Sequence, residues 1–271
     1  MKLLENKVAF VTGAARGQGR SHAMRLAQEG ALIIAVDVCE PVAADNTYAA
    51  ATPADLEETV NLVESQGGRI VARQADVRDS SALDAVLTEG VAEFGHRLDV
   101  VVANAGICNW NRFWEMSDDQ WQTMIDINLT GVWRTIKAAV PHMLTAGNGG
   151  SIIAVSSVAG IKSLPAQGHY SAAKHGVVGL TKSAAIELGE YGIRVNTIHP
   201  WGVETPMAQD PTLATILERH PTYGAAFASL LPDLPIAESD DVSNAVVWLA
   251  SDLSRSVTAT QLTLDMGATK V

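Results

Sequence analysis

The chain has 271 residues, of which 47% are hydrophobic and 18% are charged, so a large buried core is expected and bulk disorder is not. A formal net charge of −11, without a basic stripe, argues against binding to nucleic acid or to anionic membranes. The longest apolar run, from Ala31, is too short to span a bilayer, and the N-terminus lacks the apolar core of a signal peptide. Cys39 and Cys108 show no metal-binding spacing and favour a reducing compartment, so we expect a cytoplasmic protein.

Short apolar runs alternate with longer amphipathic segments along the whole chain. The predicted strands begin at Lys7, Ala31, Arg69, Asp99, Ser151, Ile193 and Gln261. Helical patterns cover residues 17–29, 54–66, 79–94, 118–146, 168–190 and 239–250. Most of the strand candidates are continuously apolar, as strands covered on both faces are. The alternation predicts an α/β fold with one domain over residues 1–271, built on a doubly wound parallel sheet with helices on both faces.

Two segments depart from this alternation. Residues 38–53 separate the second strand from its helix, although such loops usually take about 2–6 residues. This segment either folds over a bound ligand or is a solvated insertion. Residues 206–236 belong to a proline-rich stretch that predicts an excursion with one or two short helices. Its Met and Leu residues predict a lid over the substrate, an interface helix, or both.

A glycine-rich segment, VTGAARGQGR, follows the first strand and opens the first helix. Gly13, Gly17 and Gly19 allow the backbone to approach a pyrophosphate at the N-terminus of that helix. Asp37 ends the second strand, where a carboxylate can accept hydrogen bonds from an adenosine ribose and repel a 2′-phosphate. Arg16 instead favours NADP, since a cation could hold the 2′-phosphate of that cofactor. Because a carboxylate beside a phosphate is costly in a partly dry site, NAD is predicted rather than NADP.

Tyr170 and Lys174 lie four residues apart in a helical pattern and therefore share one face. A neighbouring ammonium, together with an oxidised nicotinamide, would favour the phenolate and lower the tyrosine pKa, so that the phenol exchanges a proton with substrate. Alone, such a pair is more often a surface feature. It gains weight because Ser156 and Ser157 end a predicted strand at the edge where open α/β sheets bind ligands.

Two further polar groups are expected near the same edge. Asn104, Ala105 and Gly106 follow another predicted strand. Asn128 lies in the middle of a predicted helix, where a polar side chain is unfavourable unless its amide has a partner.

The ordered motifs TGAARGQG, DVRD, NAG, DINLTG, SSVAG, YSAAK and HPWGVETP resemble those of the short-chain dehydrogenase/reductase family, over nearly the whole chain. The resemblance implies a Rossmann-type seven-stranded sheet, usually in a homotetramer. It also implies an acid/base tyrosine, a lysine that binds the nicotinamide ribose, a serine that orients substrate and an asparagine in a proton relay. The matching residues are Tyr170, Lys174, Ser157 and Asn128. Cofactor positions carried over in the same way or predicted beside them are Gln18, Val38, Asp76, Val77, Asn104, Ala105, Gly106, Pro200, Val203 and Thr205.

The chain departs from the family pattern at Trp201, because a glycine commonly follows the proline at position 200. The indole is predicted to pack under the following loop, and the alternative is that it narrows the substrate pocket. The glycine motif, the long 38–53 segment and RIVARQADVRD are also similar to the branch coupled to mycofactocin, a redox carrier, which includes carveol dehydrogenase-like enzymes. That similarity implies NAD held too tightly to exchange and reoxidised in place by the carrier.

Three hypotheses for the function remain at this point. The first is an NAD-dependent dehydrogenase for a small apolar secondary alcohol of carveol type, or a reductase for the ketone. The second is a 3-oxoacyl-thioester reductase, against which Asp37 counts because those enzymes usually use NADPH. The third is a non-catalytic NAD-binding sensor or scaffold. Among the aromatic residues, Trp121 is predicted in the core, while Trp110 and Trp114 are predicted in a pocket wall, in simple packing or in a subunit contact.

Overall fold

The computed structural model describes residues 2–271, so that Met1 of the predicted domain lies outside the described residues. One sheet of seven strands runs through the molecule in the order β3-β2-β1-β4-β5-β6-β7, and every neighbouring pair is parallel. The strands are β1 Val8–Thr12, β2 Leu32–Asp37, β3 Arg69–Gln74, β4 Val100–Ala103, β5 Gly150–Val155, β6 Ile193–Pro200 and β7 Gln261–Leu264. This order confirms the predicted doubly wound, Rossmann-type fold, whose strand order reverses between β1 and β4.

Helices cover both faces of the sheet and divide the core in two. They are α1 Gly17–Gln28, α2 Pro53–Ser65, α3 Ser80–Glu93, α4 Asp118–Ile125, α5 Gly131–Ala146, α6 Gly168–Leu188, α7 Thr212–Arg219 and α8 Ser239–Ala250. In β1, Val8 and Phe10 join the core that α3, α5 and α6 cover, whereas Ala9 and Val11 join the core under α1, α2 and α8. Alternate residues of one strand therefore fill opposite layers, which explains the continuous apolar runs in the sequence.

The predicted helix over residues 118–146 is interrupted, which corrects the prediction. A π-helical turn at Asp126–Thr130 separates α4 from α5. The Asn128 amide, inside this wider turn, accepts a hydrogen bond from Ile107 N at 2.9 Å and donates one to Ile107 O at 2.8 Å. The Asn128 amide thus forms hydrogen bonds that a regular helix interior does not provide. Single π-helical turns of this kind are frequent at functional sites.

The two irregular segments lie on the side of the sheet where the strands end. A capping box of Thr52 with Asp55, and Pro53 in the first turn, fix the start of α2 and so end the long loop. The excursion over residues 206–236 contains α7 between short 3₁₀ turns at Pro206–Gln209 and Pro221–Phe227. Over residues 2–271, no helix has the length and apolarity needed to cross a membrane.

Candidate active site

A cavity of about 650 Å³ lies at the carboxyl ends of the strands, near the reversal of strand order. Ligands bind at this position in open α/β sheets. The cavity wall includes all of the predicted cofactor residues, which are Gly13, Arg16, Gly17, Gln18, Gly19, Asp37, Val38, Asp76, Val77, Asn104, Ala105, Gly106, Tyr170, Lys174, Pro200, Val203 and Thr205. Ser157 also lines it, whereas Asn128 does not and lies behind the wall, fully buried.

The glycine loop forms a close-fitting cradle at one end of this cavity. Gly13 has φ +68°, and a Cβ there would lie 2.8 Å from the Ala105 backbone. A Cβ at Gly19 would overlap the Gly13 carbonyl, and one at Gly17 would lie 3.2 Å from the Thr205 methyl group. The loop therefore keeps bare backbone beside the N-terminus of α1, and this cradle fits a pyrophosphate.

Asp37 is held rigidly where β2 ends. Its two carboxylate oxygens accept hydrogen bonds from the backbone N–H groups of Ala15, at 3.0 Å, and Cys39, at 3.1 Å. Each oxygen keeps a free lone pair, so the carboxylate can also accept hydrogen bonds from a ribose. The Arg16 guanidinium instead donates to the Ala49 carbonyl of the long loop.

Residues 38–51 of the long loop close over the cavity. The residues of this segment that line the cavity include Val42, Asn46 and Tyr48. Asn109 Nδ2 donates to Asn46 Oδ1 at 3.0 Å, and Cys108 N donates to the Tyr48 hydroxyl at 3.2 Å. The loop is thereby joined to the segment after β4, which lies on the far side of the cavity from Asp37.

Tyr170 and Lys174 meet at the other end of the cavity. The Lys174 ammonium is 3% exposed, donates to the Val155 carbonyl at 2.8 Å and lies 5.5 Å from the centre of the Tyr170 ring. Burial lowers the pKa of Lys174 to about 8. Burial raises the pKa of Tyr170, and the Ser157 hydroxyl opposes this effect. Among the protein's own groups the Tyr170 pKa is therefore raised, because burial outweighs the Ser157 hydrogen bond, and the lowering expected beside an oxidised nicotinamide stays a prediction.

Comparison with known proteins identifies the family. The sequence model of a family described as enoyl-(acyl carrier protein) reductase matches residues 13–269. An uncharacterized NAD-dependent oxidoreductase of Mycobacterium tuberculosis is 52% identical over 272 residues, which are 98% of this chain and 97% of the relative. A short chain dehydrogenase from Mycobacterium paratuberculosis bound to NAD is 46% identical, with a TM-score of 0.96 over 99% of this chain and 100% of that one. The chain belongs to the short-chain dehydrogenase/reductase family. Carveol dehydrogenase from Mycobacterium avium in complex with NAD is 48% identical, with a TM-score of 0.93 over 100% of both chains.

This dehydrogenase/reductase has a buried histidine beside Ser157 that the sequence analysis missed. His199 Nδ1 lies 2.7 Å from the Ser157 carbonyl oxygen, and its Nε2 lies 2.8 Å from the Thr197 hydroxyl. Burial lowers the pKa of His199, and a neutral ring donates from one nitrogen while it accepts at the other. The signal that could have found it is a polar side chain directly after the predicted strand that begins at Ile193, which the structure buries fully within β6.

Aromatic side chains wall the part of the short-chain dehydrogenase/reductase cavity that lies near Tyr170. Phe227 lies between Trp110 and Trp201, with ring centres 6.0 and 6.1 Å away, and all three line the cavity. The predicted packing of Trp201 under the loop is therefore wrong, because the indole forms part of the pocket wall. Trp121 is 42% exposed rather than in the core, since its position on α4 faces outward, and Trp114 is 59% exposed.

Proposed function

We propose that this protein interconverts a secondary alcohol and a ketone with NAD as its cofactor. The observation that carries the proposal is one continuous cavity, lined at one end by the glycine loop and Asp37 and at the other by Ser157, Tyr170 and Lys174. Relatives that are named as NAD-dependent or bound to NAD support the choice of cofactor.

NAD would occupy the cavity from Asp37 to Lys174 and would supply the hydride acceptor together with a positive charge at the chemical end. The glycine loop would hold the pyrophosphate, and Asp37 would accept hydrogen bonds from the adenosine ribose. Asp76 and Val77 would contact the adenine, while Val203 and Thr205 would hold the carboxamide. A 2′-phosphate would place two negative charges side by side at Asp37, so NAD is favoured over NADP.

Tyr170 is proposed as the acid/base. During alcohol oxidation its phenolate takes the hydroxyl proton of the substrate while the carbinol carbon loses its hydride, and during reduction the phenol returns the proton. Ser157 donates a hydrogen bond to the substrate oxygen and thereby orients it. With a pKa of about 8, Lys174 remains mostly charged at neutral pH and would hold the nicotinamide ribose. Asn128 and His199 act as positioning residues through the backbone of Ile107 and Ser157.

Replacing Tyr170 with Phe tests this proposal, with Tyr191→Phe, a 51% exposed tyrosine on another surface, as the matched control. Turnover of secondary alcohols should fall by about 10²–10⁴-fold, as expected for loss of general acid/base catalysis, while NAD binding is retained. The rate at which bound NAD is reduced in a single turnover, followed at 340 nm, measures the first quantity, and the amount of NAD released on denaturation measures the second. Unchanged turnover in Tyr170→Phe would remove the proposed acid/base.

We also propose that the 38–51 loop holds NAD so that it does not exchange during turnover. The hydrogen bonds from the segment after β4 to Asn46 and Tyr48 support this, as does the Arg16 contact with Ala49. A fixed cofactor needs an external electron acceptor, and the resemblance stated above suggests mycofactocin. Rapid exchange of bound NAD with added NAD would defeat this part of the proposal and leave the dehydrogenase standing.

The substrate is proposed to be a small alcohol or ketone with an apolar body. Trp110, Trp201 and Phe227 offer aromatic surfaces to such a body, and Met207 and Leu213 from the 206–236 lid face the same cavity. The likeness to a carveol dehydrogenase supports this class. A homotetramer, with one catalytic domain per chain, remains our prediction for the assembly.

A further inference from the structure

An acidic side chain lies in the otherwise apolar lid. Asp210 lines the cavity between the 3₁₀ turn Pro206–Gln209 and α7, and it is 8% exposed. Its Oδ1 accepts a hydrogen bond from Thr212 N at 2.9 Å, whereas its Oδ2 is buried without a hydrogen-bond partner among the described residues. None of the ion pairs found in residues 2–271 includes Asp210. Within residues 2–271 no basic side chain therefore lies within ion-pair distance of its carboxylate.

A second unpartnered acceptor lies in the same wall. Gln167, three residues before Tyr170, is 4% exposed, and its Nε2 donates to Cys108 Sγ at 2.9 Å. Its Oε1 is buried and has no hydrogen-bond partner within residues 2–271. Burial, and to a smaller extent the charge of Asp210, raise the pKa of the Cys108 thiol to about 12. The two acceptors therefore line the same cavity as Cys108.

These features set requirements for the ligand. A buried acceptor without a donor is costly, so a ligand that brings a donor is favoured over one that does not. A ligand that brings a negative charge is disfavoured, because Asp210 would repel it in a site from which water is excluded.

We propose that the substrate is a neutral cyclic alcohol or ketone that carries a second hydroxyl group, which donates a hydrogen bond to Asp210, with Gln167 as the adjacent acceptor. The ring lies against the aromatic wall of Trp110, Trp201 and Phe227 while the first oxygen meets Tyr170. Asp210 is thus a specificity-determining residue. This inference rests on the proposed function for its chemistry but concerns binding, so the two can fail separately.

The test uses three probes that differ at one substituent: cyclohexanol, trans-cyclohexane-1,4-diol and trans-4-hydroxycyclohexanecarboxylate. Their affinities for the NAD-loaded protein are measured by calorimetry, and the rates at which they reduce the bound NAD are measured at 340 nm in a single turnover. The variants are Asp210→Asn, which keeps an oxygen for Thr212 N, and Asp210→Leu, which removes both acceptors. Asp233→Asn, an exposed acid in the same excursion, makes the same change of charge away from the cavity.

In the wild type the diol should bind about tenfold or more tightly than cyclohexanol, and the carboxylate about tenfold or more weakly. Asp210→Leu should abolish the preference for the diol, Asp210→Asn should relieve the rejection of the carboxylate, and Asp233→Asn should change neither. Any of three results would overturn the inference. They are equal affinities of the wild type for the three probes, no measurable binding of the diol, and affinity ratios between probes that stay unchanged in both Asp210 variants. A loss of NAD from Asp210→Asn, equal in the presence of each probe, would also overturn it. The hydrogen-bond donor to Asp210 would then belong to NAD and not to the substrate. The expected affinity pattern without NADH formation would refute the proposed chemistry and leave the binding inference standing.

Discussion

Replacing Tyr48 with Phe tests whether the 38–51 loop holds NAD in the cavity. The substitution keeps the ring and removes the hydroxyl that accepts hydrogen bonds from Cys108 N and Asn46 Nδ2, each at 3.2 Å. The Asn46 amide can turn to other partners, but the buried Cys108 N–H loses its acceptor while the loop is closed. A buried donor left unpaired costs about 1–3 kcal/mol. Because that cost falls on the closed loop, NAD release should accelerate by about 5- to 150-fold.

The assay measures exchange of the bound nucleotide. Protein loaded with NAD is diluted into excess deuterated NAD, samples are denatured at intervals, and mass spectrometry gives the isotopic composition of the released nucleotide. Tyr191→Phe makes the same chemical change on the surface and should exchange at the wild-type rate. Equal exchange rates in Tyr48→Phe and the wild type would refute the role of the Tyr48 hydroxyl in retaining NAD.

Two further predictions concern charge. Asp37→Asn removes the negative charge beside the proposed ribose site, while an amide oxygen can still accept a hydrogen bond from Ala15 N. The preference for NAD over NADP should therefore fall by about tenfold or more. The measurement is the ratio of the two nucleotides released on denaturation after long incubation with equal amounts of both, and a ratio equal to that of the wild type would contradict the prediction. Burial lowers the pKa of His22 from 6.5 to about 3, so between those values the unfolded chain binds a proton that the folded chain excludes. The free energy of unfolding should therefore decrease as the pH falls below 6.5, and this residue should contribute about 2 kcal/mol of that loss at pH 5. Urea titrations at several pH values measure this dependence. The free energy of unfolding should depend less steeply on pH in His22→Gln, whereas His142→Gln should behave like the wild type.

The sheet could be predicted from sequence because parallel strands covered on both faces must be continuously apolar, and that pattern is hard to mistake. The interruption at Asn128 could not be placed, because a π-helical turn depends on the Ile107 backbone, which is distant in sequence. The anomalous polar residue was visible, but the geometry of its partner was not. Trp121 was assigned to the core because its size suggested burial, whereas the face that α4 presents to solvent is decided by packing.

The residues predicted for the cofactor all line the cavity, although their binding of NAD stays a prediction. The glycines and Asp37 could be placed from their positions at strand ends, whereas Asp76, Val77, Val203 and Thr205 came from the family resemblance alone. Asp210 and Gln167 could not be predicted, because they lie in segments without regular periodicity and line the cavity through the path of the chain. Trp201 was visible as a departure from the family, but whether it lines the pocket depends on Phe227, which is far along the chain.

The most direct test of the account is the identity and redox state of the nucleotide that the purified protein releases on denaturation, before and after incubation with a cyclic secondary alcohol. Mass spectrometry should find NAD before incubation and NADH after it in the wild type, whereas Tyr170→Phe should release NAD in both cases. Release of NADP, or NAD in the same redox state with and without alcohol in the wild type, would contradict an NAD-dependent alcohol dehydrogenase built on Tyr170.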